Sequence, residues 1–486
     1  MRHDRSARLR LCAGLLLAGV GLSACLVGPN YSRPEVATPS AFKEMAGWSP
    51  ANPADAIDKG AWWSLFDDPA LDALERRVEV SNQNLAAAEA AYRQARAIVA
   101  ADRAQLFPTV GLSASANWSG RGKGGGSVVS GGNVVQSGGG SRQFQVGADA
   151  SWAPDLWGRI RRTIENARAS AQASAADVAN ARLSAQSELA VDYVQLRMTD
   201  AQKALLQATI DAYARSLTVT QNRYNVGVAA KSDVLTAQTQ LTNAKANLVD
   251  LDRQRTQAEH AIAVLTGQPP AFLTIQPVAD WSPGPPPTPA EIPSALLQRR
   301  PDVAAAERSA AAANAQIGVK VAAYYPNIAL SGSYGVSSSA VDALFSSAST
   351  LWSLGANVSE TVLDFGARKA GVAQARAAYD QAVAQYRQTV LTGFQGVEDA
   401  LAAARVLQDE QALRAQAAAQ AAQNEQIVLN EYKAGTVDYT TVAAAQAAAL
   451  GARQSLLNVQ AARMTEAVDL IQALGGGWSA DELKTK

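Results

Sequence analysis

Residues 159–222 hold neither proline nor glycine and keep a helical rhythm for about 64 residues. At ~1.5 Å per residue this is a rod of roughly 95 Å. A helix on its own is marginal in water, so the rod requires packing partners. Gly227 breaks it, and Ser232-Asp233 opens a second helix that reaches about residue 265. The arrangement returns later in the chain. A long helix over 367–431 breaks at Gly435 and is followed by a helix over 439–474, with Gly371, Gly393 and Gly396 making the second rod less uniform. Each hairpin partner is shorter than its rod, so further helices are expected to pack on both.

The return is an internal repeat. Asn84-Leu85-Ala86-Ala87-Ala88-Glu89 recurs as Asp302-Val303-Ala304-Ala305-Ala306-Glu307, and Leu106-Phe107-Pro108 as Tyr324-Tyr325-Pro326, both at an offset of 218. Asp155-Leu156-Trp157-Gly158-Arg159 resembles Asp364-Phe365-Gly366-Ala367-Arg368 at 209, and Arg223-Tyr224-Asn225-Val226-Gly227 resembles Glu431-Tyr432-Lys433-Ala434-Gly435 at 208. Order is kept at four landmarks, and the offset shrinks because the first copy carries a longer glycine-rich insert. The copies span 71–267 and 294–475, with a tail over 476–486. The seam over 268–293 holds Pro269-Pro270 and Pro285-Pro286-Pro287, which continue neither a helix nor a central strand. Each copy opens with a helix, over residues 71–105 and 302–323.

Between opening helix and rod the period changes from 3.6 to 2. Strands are expected over 109–119, 143–154, 327–337 and 350–362. Val110, Leu112, Ala114, Ala116 and Trp118 share one face, and Gly111, Ser113, Ser115 and Asn117 the other. Phe144, Val146, Ala148, Ala150 and Trp152 alternate in the same way, as do Ile328, Leu330, Gly332, Tyr334 and Val336, then Trp352, Leu354, Ala356 and Val358. About ten residues is the length of a tilted strand crossing an outer membrane. A soluble half-buried sheet is the other reading, but its outer face would be charged throughout, whereas this one contains Asp149 among many Ser, Gly and Asn. Trp118 and Trp352 are expected near an outer rim and Trp152 near an inner rim, as girdle residues. Four strands do not close a barrel, and open edges are not tolerated in lipid. Two chains give eight strands, which pack their own side chains; three give twelve and leave a channel. Three or more copies are favoured.

The first residues are an address. Arg2, Arg5, Arg8 and Arg10 precede an apolar core over 11–22, too short to span a bilayer, which ends in Leu22-Ser23-Ala24-Cys25. That ending resembles the bacterial lipoprotein processing signal, which implies that residues 1–24 are removed and Cys25 carries lipid as the first mature residue; ordinary signal cleavage nearby is the other reading. Leu26 in place of Asp is compatible with transfer to the outer membrane. Residues 25–70, with Pro29, Pro34, Pro39, Pro50 and Pro53, read as an irregular lead running over the body surface. Four arginines and one aspartate leave with the signal, so a chain of 43 basic and 43 acidic residues matures to a net charge of −3. Nothing neutralises phosphates, so a nucleic-acid partner is excluded. One cysteine and one histidine, His260, remain, which supplies neither a metal site nor an activated nucleophile. No catalytic residues and no cofactor beyond the lipid on Cys25 are expected. The nine glycines of 122–141 form a flexible loop, lacking the Gly-Lys-Ser/Thr ending of a phosphate cradle.

Together these features resemble the bacterial outer-membrane efflux lipoproteins, the outer-membrane factors of tripartite resistance-nodulation-division pumps. The markers are Leu22-Ser23-Ala24-Cys25, Gly28-Pro29-Asn30-Tyr31, Trp62-Trp63-Ser64-Leu65-Phe66-Asp67-Asp68-Pro69, Phe107-Pro108, Pro154-Asp155-Leu156-Trp157-Gly158 and Arg299-Arg300-Pro301-Asp302. The resemblance covers residues 19–475. It implies a mixed α and β fold: a homotrimer with a twelve-stranded outer-membrane β-barrel, four strands per chain, continuous with a periplasmic α-helical barrel. It also implies passive export in company with a periplasmic adaptor protein and an inner-membrane efflux transporter, with outer-membrane lipid around the barrel. A protein-secretion duct shares almost the same architecture, and a non-conducting structural envelope lipoprotein is the alternative of another class. Trp62 and Trp63 are expected to anchor a belt, and Asp302 to sit at a helix start. The turns 224–233 and 432–439 would lie at the periplasmic mouth. Asp438 falls where relatives place a constricting acidic ring, though it also reads as a helix N-cap, and Asp233 reads more strongly as a cap. Tyr224 and Tyr432 either pack the turns or narrow the pore, with Gly227 and Gly435 at the breaks.

Overall fold

A computed structural model describes residues 26–45, 61–120, 128–130, 133–135, 141–281, 284–286 and 299–483. The signal segment and Cys25 lie outside the described residues. In chain order the elements are α1 (Pro69–Ser81), α2 (Gln83–Ala104), β1 (Thr109–Ser119), β2 (Val128–Ser130), β3 (Asn133–Val135), β4 (Ser141–Trp152), α3 (Arg159–Asn225) and α4 (Lys231–Leu265). The second copy gives α5 (Pro301–Ala322), β5 (Asn327–Ser338), β6 (Thr350–Ser359), α6 (Ala367–Ala434) and α7 (Tyr439–Ala473). The chain divides into two compact units. One holds Met1–Arg33, Gln94–Ala171 and Arg308–Val383; the other holds Pro34–Arg93, Gln172–Glu307 and Ala384–Lys486.

The first unit contains an antiparallel sheet in the order β1-β4-β5-β6. Its register keeps the alternation in phase across all four strands: Leu112 lies opposite Ala148, Ala148 opposite Tyr334, and Tyr334 opposite Trp352. A slip of one residue at any pairing would turn that strand's apolar residues to the other face. The polar row runs Gly111, Asp149, Ser333, Ser353, with the two serine hydroxyls 2.8 Å apart. In the single chain the apolar row is uncovered: Leu112 is 88%, Trp352 72% and Leu354 81% exposed. Trp118 stands at the loop end of β1 opposite Arg142, edge-on to Phe144 at 5.8 Å. Trp152 ends β4 opposite Leu330 and donates its indole N–H to the Leu106 carbonyl at 2.9 Å. Trp352 lies two residues inside the loop end of β6.

Four strand ends differ from expectation: β4 begins at Ser141 rather than at 143, β5 ends at Ser338 rather than at 337, and two strands stop early. β4 stops at Trp152 rather than at 154, where Pro154 has no N–H to offer a ladder. β6 stops at Ser359 rather than at 362, because Arg368 takes the Glu360 carboxylate at 2.7 Å and the Thr361 carbonyl, turning the chain into α6. The glycine-rich insert, expected as featureless loop, carries the β2–β3 ladder with Val128 opposite Val135; its other residues up to 140 lie outside the described set. Both rods open on an aspartate. Asp155 accepts the Ile160 and Arg161 amides at 3.0 and 2.9 Å, and Asp364 accepts the Gly366 and Arg368 amides at 3.0 and 3.1 Å. Each carboxylate also holds an arginine side chain, Arg161 or Arg368.

The lead is fastened, not loosely draped. Arg162, fully buried, donates to the carbonyls of Val27 and Gly28 and to Asn30 at 2.9–3.1 Å, while Asn314 donates to Pro29. In the second unit, Glu398 accepts the Lys43 and Glu44 amides at 2.7 and 2.9 Å, and Phe42 sits edge-on to Phe394. The linker is pinned too. Buried Asp200 accepts from Arg255 at 2.7 Å and from the Val278 amide at 3.1 Å, and Arg197 donates to the Gln276 carbonyl.

Within the second unit the duplication reaches atomic detail. The expected single helix over 71–105 is two, broken at Asn82. Its Oδ1 accepts the Leu85 amide at 3.0 Å and its Nδ2 donates to the Leu265 carbonyl at 2.8 Å. The second copy puts Arg300 at that place, donating to the Ala473 carbonyl at 2.8 Å. Gly267 and Gly475 end α4 and α7 at φ +71° and +94°. A Cβ on either would lie 2.0 or 2.1 Å from a carbonyl oxygen, that of Ser81 or of Arg299. Each hairpin is thus clasped to the start of its own copy through a glycine that nothing else replaces.

Trp62, Trp63, Leu71, Leu74, Leu189 and Ile262 form the largest core cluster of this unit. At its margin, fully buried Glu75 has no hydrogen-bond partner for either carboxyl oxygen among the described residues, and Trp62 has none for its indole N–H. Burial first, then the charges of Glu79 and Asp72, push the Glu75 carboxyl up to about 9. The folded state therefore binds a proton there that an unfolded chain loses above about 4.5. Stability from this site is full below that pH and is lost as pH rises toward 9. The melting temperature should fall between pH 5 and 9, and Glu75→Gln should flatten the profile. Parallel profiles for both proteins would refute the assignment.

Candidate gate at the paired helical turns

The two rods end in the same local structure. At the end of α3 the Gly227 amide donates to the Tyr224 carbonyl at 2.9 Å and Val228 to Arg223 at 2.8 Å; at the end of α6 Gly435 donates to Tyr432 at 3.0 Å and Thr436 to Glu431 at 3.1 Å. This paired pattern is a Schellman motif, and both glycines adopt the left-handed φ it requires, +80° and +84°. The rods run three residues further than 222 and 431 because these bonds wrap the last turn.

Entry into the returning helices is not the same. Asp438 is the N-cap of α7, accepting the Thr441 amide at 3.0 Å. The hydroxyls of Thr440 and Thr441 donate to the same oxygen, Oδ1, at 2.8 Å each. These donors, the Thr440 hydroxyl foremost, hold the exposed carboxyl below the usual aspartate range, so it is ionised at neutral pH. Oδ2 has no partner among the described residues. Under the 208 offset the matching residue in the first hairpin is Ala230, which caps α4 with no side-chain bond. Asp233, expected as a cap, instead lies in the first turn of α4, donating its amide to the Ala230 carbonyl at 3.2 Å. There its charge meets the positive end of the helix without closing an amide.

The tyrosines divide. Tyr432 is buried with Tyr439, Val428, Val442 and Ala237, its ring edge-on to Tyr439 at 5.6 Å. Tyr224 is partly exposed, with the Lys231 ammonium 5.3 Å from its ring centre. Tyr432 packs the turn, whereas Tyr224 leaves part of its ring exposed.

The contact that ties the two hairpins together joins Tyr432 to Arg223, a residue whose sequence context suggests no role. Arg223 of α3 donates to the Tyr432 carbonyl at 2.6 Å, one of the last carbonyls of α6, and its guanidinium lies 4.7 Å from the Tyr432 ring centre. One rod thereby caps the other, where an orphan carbonyl and a negative helix end favour a cation. The Tyr432 hydroxyl meets Thr220 at 3.2 Å, Tyr439 reaches Gln240 at 3.3 Å, and buried Gln446 donates to Ser216 at 3.1 Å. The available signal was the repeat itself, which sets Arg223 against Glu431 at equivalent positions.

Tyr432→Phe should weaken the junction by about 1 kcal/mol through the lost hydroxyl bond, and Arg223→Ala should weaken it more. Amide exchange over 220–233 and 428–442 should quicken in that order while the strands keep their wild-type protection. Unchanged exchange in Arg223→Ala would show that the arginine does not hold the junction.

His260 lies exposed on α4, and its acidic neighbours are engaged elsewhere, Asp252 with Lys203 and Glu259 with Arg255 and the Ile275 amide. Pro301 and Asp302 open α5, with Asp302 bridged to Arg300 at 2.6 Å. Among the described residues, no helix is long and apolar enough to cross a membrane.

The sequence profile of the outer membrane efflux protein family matches residues 74–268 and again 292–476. The pyoverdine export outer membrane protein OpmQ of Pseudomonas aeruginosa is 30% identical over 96% of this chain and 97% of its own. The cation efflux system protein CusC of Escherichia coli is 27% identical over 97% of this chain and 98% of its own. Among solved structures, the outer-membrane channel OprN superposes with a TM-score of 0.85 at 30% identity, covering 93% of this chain and all of that one. The open state of the Neisseria gonorrhoeae MtrE outer membrane channel gives 0.82 at 27%, covering 94% and 99%.

Proposed function

The chain belongs to the outer membrane efflux protein family, and we propose that it is the passive exit duct of a tripartite pump, three copies closing one pore. It is an outer-membrane efflux channel, and its family is one of channels rather than enzymes. The sheet carries the reading of the pore: four strands, two open edges, and one face apolar and uncovered from β1 to β6. Lipid covers that face, and neighbouring copies cover the edges. Twelve strands leave a water-filled interior, for which the row of Gly111, Asp149, Ser333 and Ser353 is a fitting lining. Trp118 and Trp352 then mark the outer boundary of the hydrocarbon and Trp152 the inner one.

The helical hairpins supply the periplasmic wall. An adaptor protein recruits them, and an inner-membrane transporter drives export of small solutes or drugs. Cys25 carries the lipid. In support, the next residues are held at the sheet's helix end: the Val27 amide donates to the Trp157 carbonyl at 3.3 Å, five residues beyond β4. Asp438 serves twice, capping α7 through Oδ1 while Oδ2 contributes to a ring of three carboxylates that draws cations and repels anions.

The mass of the detergent-solubilised particle should equal three copies, each beginning at an acylated Cys25. A monomer with a closed barrel would overturn the pore, and an unmodified terminus elsewhere would overturn the anchor. In planar bilayers, Asp438→Asn keeps most of the capping and removes the charge, so it should lower cation preference with trimers intact. Asp438→Ala should do the same and also loosen the turn. Wild-type conductance, ion preference and export in both variants would leave Asp438 a cap and nothing more.

A further inference from the structure

We propose that a cavity at the junction of strands and helices binds the zwitterionic headgroup of phosphatidylethanolamine; this rests on the sheet spanning the membrane. The cavity measures about 380 Å³ and is walled by the segments that follow β4, precede β5 and follow β6. Asp155, Trp157, Arg159, Tyr325, Ile328 and Glu360 are the lining residues that matter. The size is within the range of small-ligand sites, ~300–1,000 Å³. Because all three segments leave the sheet at one end, the cavity lies level with that end, where a spanning sheet meets headgroups.

Its chemistry has two halves. The carboxylates of Asp155 and Glu360 each already have a guanidinium, Arg161 at 3.2 Å and Arg368 at 2.7 Å. Arg159 is exposed and has no ion-pair partner among the described residues, so it brings the lining's unpaired positive charge. The first amides of α3 are taken by Asp155, which leaves the Arg159 guanidinium as the partner for a phosphodiester. Also lining the cavity, Trp157 stacks on Tyr325, centroids 5.0 Å apart and planes 24° off parallel, and its indole N–H is fixed on the Pro326 carbonyl at 2.8 Å. A primary ammonium is attracted to such ring faces, and the carboxylates keep lone pairs that can accept its N–H bonds. Choline has no N–H to give them. Ile328, from the apolar row of the sheet, offers the start of an acyl-facing wall. Leu26 is pressed against Gly158 beside the cavity, so a lipid on Cys25 would enter the bilayer at the same level.

The test is native mass spectrometry of the delipidated full-length particle, titrated separately with phosphatidylethanolamine, phosphatidylcholine and soluble phosphoethanolamine. One phosphatidylethanolamine per chain is expected, bound about tenfold more tightly than phosphatidylcholine, with Arg159→Gln lowering the affinity by about tenfold and Arg159→Lys retaining most of it. Equal binding of both lipids, or equal affinity in wild type and Arg159→Gln, overturns the site. Soluble phosphoethanolamine binding as tightly as the lipid also overturns it, in favour of a free phosphate ester. Conductance of the same preparations separates the two readings. Channels that insert and conduct without lipid preference sink only the headgroup site, whereas wild-type protein that neither inserts nor conducts sinks the membrane-spanning reading beneath it.

Discussion

Along the outer edges of β1 and β6 the backbone N–H and C=O groups have no neighbouring strand among the described residues, and in hydrocarbon each would cost on the order of several kcal/mol. Much of the design answers that constraint. The apolar row cannot turn inward, because the opposite face is too small and polar to meet lipid. The edges cannot be capped by loops, because irregular backbone in lipid has the same unmet groups. In the proposed pore, copies of the same sheet are the cover. A chain proposed to supply a third of a pore needs its strand ends anchored, and the aspartates that open both rods fix the adjoining helix starts. Asp155 and Asp364 each fix a helix start and an arginine within a few residues of a strand end.

Much of this is legible in sequence, for definite reasons. A period of two cannot be mistaken for 3.6 when about ten residues alternate apolar with mostly small polar side chains, and a rod with neither proline nor glycine for about 64 residues has no other local solution. What escapes is whatever depends on contacts between distant segments. Asn82 breaks the opening helix because its side chain reaches the Leu265 carbonyl, and nothing near residue 82 announces that. β6 ends early because Arg368 reaches back for Glu360 and Thr361. Asp233 looks like a cap from its neighbours, but the turn after Gly227 is set by backbone bonds, which start the helix at Lys231 and leave Asp233 inside it. Asp438 could be read as cap or gate, and the geometry gives it the first role without removing the second, since one oxygen takes all three donors.

The two copies also show which parts of the fold tolerate divergence. At the clasps the duplication is conserved in geometry even where identity is lost: Asn82 and Arg300 share no chemistry beyond an N–H donor, yet each holds the last carbonyls of its own hairpin. The glycines at 267 and 475 cannot vary, because a carbonyl oxygen occupies the space of a side chain. Those positions are fixed by packing, and both copies need the same packing.

At the turns the copies part. Ala230 stands where Asp438 stands, and Arg223 where Glu431 stands. An arginine on one rod and the open carbonyls of the other form a joint that a symmetric pair could not make, since two arginines would repel and two glutamates would find no donor. Asymmetry at this one level also leaves a single capping carboxylate per chain, not two, beside the turn. A three-copy ring of α7 caps would therefore carry three carboxylates on one hairpin type, and the α3 hairpins would remain free to shift against them. Motion of one hairpin relative to the other must then break the Arg223–Tyr432 contact while sparing the Asp438 cap, because the cap lies wholly within its own hairpin. The charge proposed to select and the contact between the rods are thus mechanically separate, although a few residues divide them in sequence.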